Sequence, residues 1–143
     1  MKKVVYLLFL ATLLAGACTK DQIDNTGTNE TSTSKEVDNE GDDVSNTEFS
    51  GTITITYSES GAAVSGDELG YVSVSGNNVT VNNTGTDNII YVLQGSTSNG
   101  YFKLYSTKKQ EILLGGVYIT NPNGAAINNQ SGKRMPVTMC GKI

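Results

Sequence analysis

From residue 51 onward, apolar and polar residues alternate with a period of two. Thr52-Ile53-Thr54-Ile55-Thr56-Tyr57 alternates strictly, and so do Tyr71-Val72-Ser73-Val74 and Val79-Thr80-Val81. Successive side chains of a strand point to opposite faces, so this period predicts strands with one face on a core. Turn clusters separate them: Ser58 to Ser60, Gly66-Asp67, Gly76-Asn77-Asn78, and Asn82 through Asn88. No window in this region carries a convincing 3.6-residue period, and the pattern predicts an all-β domain.

The later runs repeat. Ser106-Thr107-Lys108-Lys109 returns about 25 residues on as Ser131-Gly132-Lys133-Arg134. Ahead of the two copies lie Asn99-Gly100 and Asn123-Gly124, each followed by a short strand-like run. Three runs close on glycine: Ile89 to Leu93 before Gly95, Ile112 to Leu114 before Gly115-Gly116, and Val137 to Met139 before Gly141. Their spacings are roughly 21 and 25 residues, with Tyr101–Tyr105, Val117–Ile119 and Ala125–Ile127 interposed. Self-similarity at this period predicts a β-solenoid whose coils, of three short strands each, bury an interior no single coil could bury alone. A β-sandwich, which also uses many short strands, is the alternative.

The N-terminal 18 residues read differently. Lys2-Lys3, the apolar run Val4 to Leu14, and Ala15-Gly16-Ala17 before Cys18 form a secretory signal, residues 1–17. The apolar run is shorter than the about 20 residues a membrane span needs. A cysteine directly after small residues resembles the lipobox of bacterial lipoproteins, with Ala15 where the strictest form has Leu. That resemblance implies a lipidated Cys18 as mature N-terminus, export, and a membrane partner through the lipid at the outer membrane or cell surface. Residues 18–48 then form a tether, with nine acidic residues against Lys20 and Lys35. Such a segment buries too little apolar surface to offset the entropy of ordering it.

Removing the tether changes the charge balance. The chain is −4 overall, but residues 49–143 hold six basic and five acidic residues. This domain has no His, no Trp and one cysteine, Cys140. Without histidine it lacks the commonest general base and the Ser/His and Cys/His nucleophile pairs. No Gly-x-Ser-x-Gly elbow is present either, so catalysis is not expected. Cys140 has no second thiol within the domain and reads as a small buried residue after Met139.

From about Val79 to Lys142 the chain resembles a bacterial carbohydrate-binding domain family similar to polysaccharide lyases. The residues that carry the resemblance are Tyr91 to Gly95, Gly100 to Ser106, Lys108-Lys109, Leu113 to Asn129, Gln130-Ser131 and Lys133-Arg134. It implies a right-handed parallel β-helix, here a fragment of a few coils, because members of the family continue through further coils. It also implies calcium, for which the loop acids Asp67, Glu68 and Asp87 are the candidate ligands. An end coil without a polar cap predicts self-association through the C-terminal end.

Ligand-binding candidates follow from alternation. With Phe102 and Leu104 inside, Tyr101, Lys103 and Tyr105 turn outward, and the same logic turns Tyr118 out. Tyrosine rings stack on the apolar faces of pyranose rings while their hydroxyls stay wet. Lys108, Lys109, Lys133 and Arg134 would form a basic strip suited to an acidic polysaccharide. Export disfavours nucleic acid. The sequence thus points to non-catalytic polysaccharide binding at a cell surface. The alternatives are a structural or adhesive surface protein without sugar specificity and a remnant lacking its last coils.

Overall fold

The structure is a computed structural model and describes residues 47–140. Nine strands make it up: β1 (Gly51–Tyr57), β2 (Ala63–Ser65), β3 (Val72–Ser75), β4 (Asn78–Asn83), β5 (Ile89–Thr97), β6 (Tyr101–Ser106), β7 (Glu111–Ile119), β8 (Ile127–Asn129) and β9 (Val137–Met139). The described residues are all-β, as the period of two predicts. The strands form two mixed sheets, in the orders β2-β1-β5-β7-β9 and β3-β4-β6-β8.

From β4 onward the chain alternates between the sheets. Each strand pairs in parallel with the strand two places further on: β4 with β6, β5 with β7, β6 with β8, β7 with β9. Antiparallel β2 and β3 close the N-terminal side. The β3–β4 hairpin turns on Gly76, whose φ of 62° suits the first position of a two-residue turn.

Equivalent residues stack. Ile53, Tyr91, Ile112 and Val137 form one column of paired positions, and Ile55, Leu93, Leu114 and Met139 another. In the facing sheet Val79, Phe102 and Ile127 align, beside Val81 and Leu104. These columns meet in one core that includes Ile53, Ile55, Val79, Val81, Tyr91, Leu93, Phe102, Leu104 and Ile112. Tyr91 and Phe102 join the sheets ring to ring, with centroids 5.8 Å apart. The two sheets meet across this core, and the expected 21- and 25-residue spacings are the parallel ladder of the first sheet.

Several boundaries differ from those read in the sequence. Each circuit holds two strands, not three. β5 passes through Gly95 without ending, and β7 joins Ile112–Leu114 to Val117–Ile119 as one strand. Between Leu93 and Gly95 the register slips, because Gly115-Gly116 puts one extra residue into β7. Gly116, at φ 79°, absorbs that bulge and keeps Val117 and Ile119 against the core. Gly95 has φ 83°, and a Cβ there would collide with the carbonyl oxygen of Tyr57 on the neighbouring strand. The interposed run at Ala125–Ile127 is displaced to Ile127–Asn129. Cys140 is half-buried and disulfide-bonded, not a small buried thiol; the sequence's other cysteine, Cys18, lies outside the described residues.

Polar groups hold the turns. Buried Gln110 accepts a hydrogen bond from the Ile89 amide at 2.9 Å. Its own amide donates to the Asp87 carbonyl and to Ser106 Oγ, both at 3.0 Å. Buried Asn83 donates to the Asp87 carbonyl at 3.1 Å and to Gln110 at 3.3 Å. Glu111, fully buried, accepts from Thr138 Oγ1 at 2.7 Å and ties β7 to β9.

Two tests follow. Gly95→Ala should lower stability by about 3 kcal/mol, from left-handed strain plus backbone collision, against about 1 kcal/mol for Gly116→Ala, where only strain acts. Urea denaturation of both variants checks the order. Burial raises the Tyr91 phenol to about 12 and pushes Tyr57 up further. A raised folded pKa favours the neutral form, so stability is full below the ordinary tyrosine pKa near 10 and falls as pH climbs through 12. Urea midpoints measured at pH 8, 10 and 11.5 should be level at first and then decline.

Candidate functional site

β6 is sorted by its own alternation. Phe102 and Leu104 are fully buried, while Tyr101 and Lys103 are half-buried and Tyr105 is exposed. The three outward side chains form a row on the outer face of the second sheet, at intervals of about 6.7 Å between Tyr101, Lys103 and Tyr105 along the strand. The row is anchored from beneath. Tyr57 donates its hydroxyl to the Tyr101 carbonyl at 3.1 Å, and the Tyr101 and Phe102 amides donate to Asn77 and Ala126 carbonyls at 3.1 and 2.8 Å.

Lys103 Nζ lies 5.0 Å from the centroid of the Tyr105 ring, within the range of a cation–π contact. Its hydrogen bond with Tyr105 raises the Lys103 pKa, and the Tyr105 and Tyr101 charges add to this against slight desolvation. The side chain therefore stays cationic at neutral pH, leaning on one aromatic and beside another.

The neighbouring strands complete the platform. By register Asn78 stands beside Tyr101, Thr80 beside Lys103, and Asn82 beside Tyr105, with Asn128 on the far side of Lys103. Ser73 continues the row beyond Thr80. Reading the sequence missed these amides and hydroxyls. Asn78 and Asn82 look there like turn residues and Asn128 like the end of a short strand-like run, and only the pairing of β4 and β8 with β6 turns them into one surface.

The basic residues sit at the flank. Lys108 and Lys109 occupy the β6–β7 turn, and Lys133 and Arg134 the β8–β9 turn, which lies one strand on. Both turns are built alike: Ser106 Oγ donates to the Lys108 carbonyl at 3.1 Å, and Ser131 Oγ to the Lys133 carbonyl at 3.0 Å. The echo in the sequence is thus a repeated Ser turn at the end of β6 and β8. Tyr118 is 77% exposed but on β7, in the other sheet, so it does not join the row.

The three acids gather around Tyr71 without forming a cage. Both Asp67 carboxylate oxygens accept backbone amides, from Tyr71 and Val72, at 2.8 Å each. The Tyr71 hydroxyl donates to Asp87 at 2.7 Å. That bond, then burial and the charges of Asp87 and Asp67, raise the Tyr71 pKa. Glu68 and Asp87 line a cleft of about 350 Å³ with Ser50, Leu69 and Tyr71. Among the described residues no group of three or more acidic, His or Cys side chains is placed to hold a metal ion. Asp67, Glu68 and Asp87 do not fit a calcium site as they stand.

Against this geometry, a family model described as a carbohydrate-binding domain-containing protein matches residues 75–141. The match runs from the end of β3 through β9 and takes in the Tyr101–Tyr105 row and both basic turns. That similarity supports carbohydrate binding and a binding role over a catalytic one. No curated protein and no solved structure matches the chain.

Asp67 should behave as a structural residue. Asp67→Ala, which leaves two backbone amides without their acceptor, is expected to cost about 1–3 kcal/mol in urea denaturation, with or without added calcium.

Proposed function

We propose that this protein is a non-catalytic polysaccharide-binding module, with the outer face of β4, β6 and β8 as its binding surface. The observation that carries this reading is the Tyr101–Lys103–Tyr105 row, flanked by Asn78, Thr80, Asn82 and Asn128, inside the segment similar to a carbohydrate-binding family. A flat sheet face with aromatic rings among amides and hydroxyls suits an extended glycan: the rings take the apolar sugar faces and the polar groups take the hydroxyls. Lys103 and the basic turns favour an acidic chain. No bond-making group is required of such a surface.

The two sheets fit the walls of a short right-handed parallel β-helix. Parallel strands joined by crossovers are right-handed in about 98% of cases, which supports the handedness. For location, the basic, apolar and small-residue order before Cys18 favours export and lipidation of that cysteine, holding the domain off the outer membrane or cell surface on an acidic tether. The Cys18 sulfur cannot carry a lipid and a disulfide together. Intact mass of the membrane-extracted protein, before and after reduction, separates the two, and Cys18→Ser should release a lipidated protein to the soluble fraction.

Pull-down on insoluble neutral and acidic polysaccharides tests the binding surface. Tyr105→Ala removes both a stacking ring and the support of Lys103 and should weaken retention about tenfold or more, with Tyr101→Ala similar. Lys103→Ala should reduce retention on acidic glycans most. Tyr118→Ala, on the other sheet, should leave it unchanged, and chelation of calcium should have no effect. Absence of retention on every glycan tried would end this reading.

A further inference from the structure

The turns that lead into β5, β7 and β9 form one column, because those strands are neighbours in the first sheet. Gln110 locks the first two turns together: it donates to the Asp87 carbonyl at 3.0 Å and accepts from the Ile89 amide at 2.9 Å. The second and third turns carry Lys108, Lys109, Lys133 and Arg134, four of the six basic residues in residues 49–143. Lys108, Lys133 and Arg134 are exposed and Lys109 is half-buried. The acids beside this strip, Asp87 and Glu111, bond to Tyr71 and Thr138 and are two against four. A near-neutral domain thus concentrates positive charge at one edge.

The chain enters the fold at the head of that column. The Ser50 amide donates to the Asn88 carbonyl at 2.9 Å, and the Asn88 side chain donates to the Glu48 carbonyl at 3.2 Å. Residues 48–50 therefore run beside the first turn, and by strand spacing the two basic turns lie about 10 and 14 Å further along. Just ahead in sequence, residues 36–43 hold Glu36, Asp38, Glu40, Asp42 and Asp43 and no basic residue. From Thr47 an extended chain reaches at most about 14 Å to Asp43 and about 40 Å to Glu36. The acidic run spans both distances.

We infer that this run of five acids docks on the two basic turns and is a built-in competitor of acidic ligands. Five negative side chains meet four positive ones, and the point of attachment is already beside them. Exposed ion pairs are individually weak and screened by salt, but a short flexible connection keeps the run at about millimolar effective concentration near the strip. Contact through charge needs no buried core, which suits a segment so poor in aliphatic residues. The disulfide of Cys140 adds a second restraint where its partner is Cys18, the chain's other cysteine, because residues 18–47 are then held at both ends of the column. With a lipid on Cys18 the attachment at residue 47 alone places the run. If the turns bind an acidic glycan, as proposed above, that glycan must displace the run, whereas a neutral chain on the Tyr101–Tyr105 row need not. The competition rests on that reading; the docking does not.

A spin label attached at Gly41→Cys, in the full chain with Cys18→Ser and Cys140→Ser and with folding checked by circular dichroism, tests the docking without any glycan. Amide signals of residues 107–109 and 132–134 should broaden most at about 20 mM salt and recover at about 500 mM. Lys108→Glu with Lys133→Glu should abolish the broadening. In the chain that keeps both cysteines, Glu36→Gln, Asp38→Asn, Glu40→Gln, Asp42→Asn and Asp43→Asn together should shift the same amide signals. Broadening that is absent, equal over the whole domain, or unchanged by salt and by the lysine substitutions overturns the inference. Oligogalacturonate added to the labelled protein should restore the signals, and a neutral cello-oligosaccharide should not. Docking that oligogalacturonate leaves undisturbed overturns the competition and counts against the acidic-glycan reading, while the docking itself stands.

Discussion

The structure depends on in-register stacking of inward side chains from strands that are distant in sequence. One circuit offers two or three apolar residues per strand, too few to exclude water. Ile53 packs beside Tyr91, Tyr91 beside Ile112, and Ile55 beside Leu93, each pair joined by the same backbone ladder that aligns them. The facing columns through Val79 and Phe102 close the other side. Burial and hydrogen bonding are one event here, because no column forms unless the register is right, and a one-residue slip would turn every apolar residue outward.

That constraint reaches the outer face. Phe102 and Leu104 can be buried only if Tyr101, Lys103 and Tyr105 point away, so the core fixes which residues are available for ligand. The turns are held as firmly. Gln110 and Asn83 satisfy the groups of the turn before β5, and Gln110 also fixes Ser106, which sets the start of the Lys108-Lys109 turn. A buried amide pair thus connects the inside of the molecule to its basic flank. Such pairs are costly when unsatisfied and give a definite geometry when partnered.

Much of this was legible. Alternation in Thr52–Tyr57 and Tyr101–Ser106 identifies strands and faces, and the echo of Ser106 at Ser131 marks equivalent turns. The glycines misled. Gly95 and Gly115-Gly116 look like strand ends, yet they are places where a strand continues through a close approach or a bulge. A left-handed glycine serves either purpose, and only the neighbour decides: the Tyr57 carbonyl for Gly95, the extra residue of β7 for Gly116. Asp67 misled in the same way, as a loop acid whose carboxylate is committed to two backbone amides.

By itself the sequence determined what a strand can know about itself: its period, its inward and outward faces, and the repeat length that brings equivalent turns together. It also determined the absence of histidine and the near-neutral charge of the domain. The tertiary structure decided which faces share a surface. Tyr118 and Tyr105 both point outward from their own strands, but they lie on different sheets, while Asn78 and Asn82, which look like turn residues, join the tyrosine row together with Asn128. Alternation is a property of one strand, whereas a binding face is a property of several. Only long-range pairing, fixed by the buried columns, says which strands are neighbours.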